Sequence, residues 1–147
     1  MRKSRSEQSR TYRGMNNAMI KSNDTNGCSV IAIAIAFNIS YEQSYGLFNT
    51  IGRRHGKGVT TWDIEQVAHA LAVSMGKDIV FMKPNRINEL KELMGVTPTL
   101  NNIVKILPKS GKFLVWVSGH VVAVKGGRVH DHSEGSKCQV RNILEIV

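Results

Sequence analysis

The 147-residue sequence predicts a single α+β domain in which N-terminal helices pack on a C-terminal antiparallel β-sheet. Three observations support this fold class. Apolar residues before Gly76 recur at helical spacing, short β-rich segments follow Gly111, and a Gly-Gly pair separates two of those segments. The length is that of one domain, and the sequence contains no internal repeat and no low-complexity tract.

The start of the chain is polar and basic. Residues 1–15 offer almost nothing to bury and are predicted to form a flexible basic N-terminal arm, followed by one domain over 16–147. The stretch 16–27 is rich in Asn, Ser, Thr and Asp, a composition typical of a loop.

Three helices are predicted next. The run Cys28–Phe37 is almost wholly apolar, and its alanines and the preceding Asn-Gly pair favour a buried helix over a buried strand. Ser40 is a typical N-cap with Gln43 at the capping-box position, and Thr60 or Thr61 caps a further helix. The predicted helices are therefore Cys28–Phe37, 41–51 and a third that ends near Met75.

The second half of the chain is predicted to supply the sheet. A short strand and two short helices come first, and the β-rich segments follow Gly111. The strands are predicted over 79–82, 113–118, 120–124, 128–130 and 139–147, and the helices over 88–94 and 99–107.

One hairpin can be placed in register from the sequence. Gly126-Gly127 is a two-residue turn between apolar runs, which pairs Lys125 with Arg128. That register places Asp131 on the same face as His120, as its diagonal neighbour roughly 7–8 Å away. Strand alternation predicts that His132 faces away from His120.

Composition restricts the location and class of the protein. Hydrophobic residues make up 41% and charged residues 21%, as in a globular protein, and no apolar stretch approaches the roughly 20 residues of a membrane span. The basic N-terminus is not followed by the hydrophobic segment of a signal peptide. We therefore expect a cytoplasmic protein in which Cys28 and Cys138 are free thiols.

The net charge of +9 is typical of a protein that attracts polyanions. The basic arm is one candidate surface, and the cluster formed by Arg53, Arg54 and Lys57 is a second. One function consistent with these clusters is a non-catalytic module that binds nucleic acid or an acidic protein. Aromatic residues are only 6% of the chain, which disfavours recognition of single strands by stacking.

The order of Cys28, His120 and Asp131 indicates nucleophilic catalysis. A thiol at a helix start can have a lowered pKa, a histidine can act as its base, and a carboxylate can orient the histidine. The backbone N–H of Cys28 can stabilise an oxyanion, and Asn23 or Asn26 is expected to supply a second donor. An anionic Asp24 would repel an oxyanion and is a poorer candidate.

These residues resemble the papain-like cysteine peptidase superfamily. The run Asn26–Ala34 is similar to its nucleophile helix, and Gly119–Val124 followed by Val129–Asp131 is similar to its histidine and Asn/Asp strands. The chain also resembles small papain-fold proteins encoded by bacteriophages, which implies the host cytoplasm. The similarity covers roughly residues 22–132. One departure is Ser22, which stands where many of these enzymes have an oxyanion-hole Gln.

The resemblance implies a papain-like fold and a hydrolase that cleaves an amide, isopeptide or thioester bond in a peptide or protein without a cofactor. Cys28 would be the nucleophile, His120 the general base and Asp131 the orienting group. Peptidase, deamidase, transferase and inactive homologue all remain open.

A zinc site is the remaining alternative. Its ligands would come from both cysteines and from His120, His130 and His132. The sequence lacks the Cys-x-x-Cys and His-x-x-x-His spacings that such sites favour, so no metal is expected.

Overall fold

The computed structural model describes residues 8–82 and 84–147. Within these ranges the helices are α1 (Arg10–Lys21), α2 (Cys28–Phe37), α3 (Tyr41–Thr50), α4 (Thr61–Ser74), α5 (Pro84–Met94) and α6 (Leu100–Ile103). The strands are β1 (Ile79–Met82), β2 (Lys112–Val117), β3 (His120–Lys125), β4 (Arg128–His130) and β5 (Asn142–Ile146). They form one sheet in the order β1-β5-β2-β3-β4 with every neighbouring pair antiparallel. The α+β class with N-terminal helices is confirmed.

The prediction of a loop over residues 16–27 is wrong for residues 16–21, because α1 extends to Lys21. Ser9 caps α1 by accepting a hydrogen bond from the backbone N–H of Tyr12 at 3.0 Å. Tyr12 is buried, and Met15 and Met19 pack on the same core at helical spacing. Residues 10–15 of the predicted arm therefore belong to α1, and residues 1–7 lie outside the described residues.

Helix α2 lies at the centre of the helical layer and is confirmed as a buried helix. It packs on β3 and on the three helices α1, α3 and α4. All of its residues from Ser29 to Phe37 are buried. A helix in contact with neighbours on every side needs apolar residues all round, which explains its lack of an amphipathic pattern.

The caps of α3 and α4 are as predicted. The Ser40 hydroxyl accepts from the Gln43 N–H at 3.0 Å, and the Gln43 side chain accepts from the Ser40 N–H at 2.9 Å. Thr60 and Asp63 form the equivalent pair at the start of α4. Along the rest of the chain, α5 begins earlier than predicted and α6 ends earlier, at Ile103.

The central strands β2 and β3 are buried on both faces of the sheet. Leu114 and Trp116 of β2 pack toward α2, whereas Phe113, Val115 and Val117 pack on the opposite face with Leu100 and Ile103 of α6. Among the described residues no helix is long and apolar enough to cross a bilayer.

The β3–β4 hairpin has the predicted register. Lys125 pairs with Arg128 and Val124 with Val129. Gly126 and Gly127 both have positive φ, at 64° and 72°, the conformation of a type I′ turn. The hairpin brings the end of β4 beside the start of β3, where His120 lies.

Gly126→Ala tests this turn. A Cβ atom at φ 64° is sterically disfavoured, so we expect the free energy of unfolding to fall by about 1–2 kcal/mol in urea titrations. The control is Gly46→Ala inside α3, where a Cβ atom meets nothing within 4 Å and should stabilise the helix by about 0.5–1 kcal/mol. Equal effects of the two substitutions would contradict the turn.

Candidate active site

Cys28, His120 and Asp131 come together at the ends of three elements. Cys28 is the first residue of α2, His120 is the first residue of β3, and Asp131 directly follows β4. His120 Nε2 lies 2.8 Å from Asp131 Oδ2, and His120 is close enough to the Cys28 thiol for each of the two groups to shift the pKa of the other. Because Nε2 is taken by Asp131, Nδ1 is the ring nitrogen left for the thiol.

The charges of this group favour a thiolate beside an imidazolium. Burial opposes ionisation of Cys28, but the neighbouring, positively charged His120 outweighs burial and lowers the pKa of the thiol. Burial also opposes the charged form of His120. The hydrogen bond to Asp131 and the proximity of the Cys28 thiol outweigh that effect and raise the pKa of His120 to about 10.

Asp131 is held by Ser133 as well as by His120. The carboxylate is 4% exposed and accepts from the Ser133 N–H at 3.0 Å and from the Ser133 hydroxyl at 2.5 Å. Burial opposes its ionisation, but the bonds from His120 and Ser133 lower the pKa of Asp131. Sequence reasoning missed Ser133, although an Asp two residues before a Ser is a common side-chain-to-backbone turn.

The predicted orientation of His132 is wrong. Its ring centroid lies 5.2 Å from that of His120, and its Nδ1 lies 3.5 Å from Asp131 Oδ2. Strand β4 ends at His130 and the chain turns through residues 131–135. Strand alternation therefore stops one residue before Asp131, and His132 turns back toward the site.

Helix α1 contributes Tyr12 to this side of the site, a residue that the sequence placed in a flexible arm. The Tyr12 hydroxyl lies 3.4 Å from His132 Nδ1. Burial, reinforced by the negative charges of Asp131 and Cys28, raises the pKa of Tyr12 to about 12. Tyr12 therefore remains a neutral phenol beside the carboxylate.

His130 joins α1 to the hairpin. Its Nε2 lies 2.9 Å from the Lys125 carbonyl and therefore donates, which leaves Nδ1 to accept from the Ser9 hydroxyl at 2.6 Å. Burial lowers the pKa of His130, consistent with this neutral form. Both ring nitrogens are used, so His130 has no free nitrogen for a metal.

The described residues contain one group with metal-ligand chemistry, formed by His120, Asp131 and His132, whose ligand atoms lie within 4.8 Å of one another. His130 and Cys138, two ligands of the zinc alternative, do not belong to it. Both Cys28 and Cys138 are free thiols.

A cavity of about 770 Å³ lies beside the Cys28–His120 pair. One wall is formed by Asn26, Cys28 and Ser29, and another by the loop leading into α4. The β2–β3 connection and the start of β5 complete the lining. The thiol is therefore accessible to a bound molecule.

Of the two predicted oxyanion donors, the structure brings only Asn26 to the cavity. Asn26 Nδ2 donates one hydrogen to the Gly56 carbonyl at 2.9 Å and keeps a second. The N–H of Cys28 has no hydrogen-bond partner among the described residues. Asn23 does not line the cavity, and Ser22, at the position of the family's Gln, is an exposed C-cap of α1.

The buried carboxylate of Asp24 organises the loop that leads to Cys28. It accepts from both terminal nitrogens of Arg53, at 3.0 and 3.2 Å, from the Gly56 N–H at 2.7 Å and from the Tyr41 hydroxyl. Burial opposes ionisation of this carboxyl, but these bonds outweigh it and lower the pKa of Asp24 to about 2. The Asp24–Arg53 ion pair thus joins the loop between α1 and α2 to the loop between α3 and α4, and both loops flank the cavity.

The assignment of Arg53 as a polyanion contact is wrong. Its residue exposure is 6%, and its guanidinium is bound to Asp24. Arg54 and Lys57 are exposed, and their predicted role in binding a polyanion stays a prediction.

Gly27, the residue directly before the nucleophile, is closely packed by side chains of α1 and α3. A Cβ atom there would lie 2.9 Å from the Met19 sulfur and 2.9 Å from the Tyr41 hydroxyl. The lack of a side chain lets α1 and α3 approach the start of α2 closely.

Protein-family models, curated proteins and solved structures were compared with this chain, and none matches. The geometry itself defines the class of site: a half-buried thiol at a helix start, a histidine at a strand start and a buried carboxylate behind the histidine.

Arg53→Ala tests the ion pair that joins the two loops. It leaves Asp24 as a buried unpaired charge, so we expect the free energy of unfolding at pH 7 to fall by about 3–5 kcal/mol in urea titrations. The matched control is Arg54→Ala, an exposed neighbour that should change stability by less than about 0.5 kcal/mol.

The same variant has a pH signature. Because the pKa of Asp24 is lowered to about 2, its contribution to the free energy of unfolding is fully present above the ordinary carboxyl pKa near 4. That contribution is lost as the pH falls toward 2. The stability difference between the parent chain and Arg53→Ala should therefore shrink below about pH 4. A difference that is constant with pH would contradict this role of Asp24.

Proposed function

We propose that this chain is a papain-like cysteine hydrolase that cleaves an amide, isopeptide or thioester bond in a peptide or protein substrate. The observation that carries the proposal is that Cys28 and His120 line one open cavity while Asp131 lies 2.8 Å behind the His120 ring. Each residue has the chemistry that its role needs, since the thiol is activated, the imidazole is its partner and the carboxylate orients the imidazole.

The placement of the three residues supports a papain-like fold. The nucleophile begins a buried helix, and that helix packs on the strand that begins with the histidine. An adjacent antiparallel strand ends beside the carboxylate. A bacteriophage origin and a cytoplasmic location remain predictions from the sequence.

The first half of the proposed reaction forms a thioester. The Cys28 thiolate attacks the substrate carbonyl carbon, and the carbonyl π electrons move to oxygen. The Cys28 N–H and the remaining Asn26 amide hydrogen stabilise this oxyanion. The His120 imidazolium gives its proton to the leaving group as the tetrahedral intermediate collapses, which breaks the bond to the leaving group and leaves the acyl group on sulfur.

The second half releases the acyl group to water. Neutral His120 takes a proton from a water molecule that attacks the thioester carbon. Collapse of this second intermediate breaks the carbon–sulfur bond, releases the acid and restores the thiolate–imidazolium pair. Asp131 stabilises the imidazolium and fixes the ring orientation throughout.

Alkylation of the thiol tests the activation of Cys28. We expect iodoacetamide at pH 6–7 to label Cys28 about tenfold faster in the parent chain than in His120→Ala, with labelling read on the Cys28 peptide by mass spectrometry. The matched control is His69→Ala, an exposed histidine of α4, which should leave the rate unchanged.

The pH dependence of the labelling rate provides a second test of Cys28 activation. Because His120 lowers the pKa of Cys28, the thiolate persists to lower pH in the parent chain, and His120→Ala should move the rate-versus-pH curve to higher pH. Superimposable curves would show that Cys28 is an ordinary thiol and would refute the proposed function.

Acyl transfer can be tested without the natural substrate. We expect p-nitrophenyl acetate to acetylate Cys28 with release of p-nitrophenolate in a burst that is stoichiometric with the protein. Cys28→Ala should abolish the burst, and Cys138→Ala should retain it because Cys138 packs with the apolar residues on the α6 face of the sheet and does not line the cavity. An acetyl group that survives Cys28→Ala would contradict the assigned nucleophile.

A further inference from the structure

The wall of the cavity at the start of β5 carries two adjacent hydrogen-bond donors, Arg141 and Asn142. The Arg141 N–H donates to the Trp116 carbonyl at 2.7 Å, which fixes its backbone against the last residues of β2. Asn142 pairs with Trp116 in the β2–β5 ladder. Both residues line the same cavity as Cys28 and His120.

The orientation of the Asn142 amide leaves its donor end available. Its Oδ1 accepts from the Ile143 N–H at 3.0 Å. The Nδ2 amino group has no hydrogen-bond partner among the described residues, so its two hydrogens can reach a ligand in the cavity.

Arg141 is an exposed cation without an ion-pair partner in the part of the chain that the structure describes. None of the described residues that line the cavity is an Asp or a Glu. Asp131, the carboxylate behind the cavity, is 4% exposed and is hydrogen-bonded to His120 and Ser133. The positive charge of Arg141 is therefore not neutralised locally, in a protein whose net charge is already +9.

We propose that Arg141 and Asn142 form a subsite that binds a carboxylate of the substrate beside the Cys28 thiol. This inference rests on the proposed function and narrows its substrates to peptides that present a carboxylate near the bond to be cleaved. A guanidinium binds a carboxylate by charge-assisted hydrogen bonds, and the neighbouring amide can donate to the same group. The carboxylate comes either from an acidic side chain or from a chain end, since both present the same two oxygens.

A pair of alkylating agents measures the attraction of this subsite for an anion. Iodoacetate and iodoacetamide react alike: the thiolate sulfur attacks the methylene carbon, the carbon–sulfur bond forms and iodide leaves with the electron pair of the carbon–iodine bond. Only iodoacetate carries a carboxylate. The ratio of the two rates at Cys28, read on its peptide by mass spectrometry, therefore reports the attraction of an anion and cancels the reactivity of the thiol.

We expect Arg141→Gln to lower the iodoacetate-to-iodoacetamide ratio roughly threefold at low salt, the size of an interaction between partly exposed charges. Added salt should remove most of this difference, because charges about 10 Å apart are screened at 0.1 M. The matched control is Arg10→Gln, which removes the same charge from an exposed position on α1 and should keep the parent ratio.

An unchanged ratio in Arg141→Gln would overturn the subsite, as would an equal fall in Arg10→Gln. Failure of the proposed function looks different: it appears in the absolute iodoacetamide rate and its dependence on His120, whereas the ratio is measurable for an ordinary thiol as well.

Protection experiments distinguish the two sources of the carboxylate. Acetyl-Ala-Glu-Ala-amide and acetyl-Ala-Gln-Ala with a free chain end each carry one carboxylate, and acetyl-Ala-Gln-Ala-amide carries none. We expect one or both of the peptides that carry a carboxylate to slow iodoacetamide labelling of Cys28, and Arg141→Gln to abolish this protection. Protection by the neutral peptide to the same extent, or by none of the three, would contradict carboxylate recognition.

Discussion

The site depends on the buried ion pair between Asp24 and Arg53. Side chains with almost no exposure hold these opposite charges 3.0 Å apart, and a backbone N–H and a tyrosine hydroxyl share the same carboxylate. Removing either charge leaves the other in a medium that solvates it poorly. The loop before Cys28 and the loop beside the cavity are thus held in one arrangement, and the start of α2 is fixed by what precedes it.

A second constraint, the β3–β4 hairpin, positions the histidine and the carboxylate. The Gly-Gly turn sets the register of the hairpin, and the hairpin carries Asp131 to His120. Beyond the turn the chain bends at once, so that Ser133 can bind the carboxylate. The nucleophile lies more than ninety residues before its two partners in the sequence, and the loop before Cys28 and the turn after β4 are each held by their own hydrogen bonds.

The sequence predicted the elements whose signals are local. The Ser40 and Thr60 caps, the buried helix at Cys28 and the hairpin register were all readable, because each depends on neighbours within a few residues. Helix α1 was missed because only four apolar residues mark its buried face, among polar neighbours that resemble an arm. Arg53 was misread because its partner lies 29 positions away in the chain, so a buried cation looked like a surface one. His132 was misplaced because alternation was extended beyond the last paired residue of β4.

The crowding around Gly27 links the nucleophile to the loop that precedes it. Three helices meet at a point where an added methyl group would have to displace the Met19 sulfur and the Tyr41 hydroxyl, and that hydroxyl is the one bound to Asp24. Any side chain at this position would therefore act on the Asp24 ion pair and on the start of α2 at the same time, so that a single backbone position couples the two.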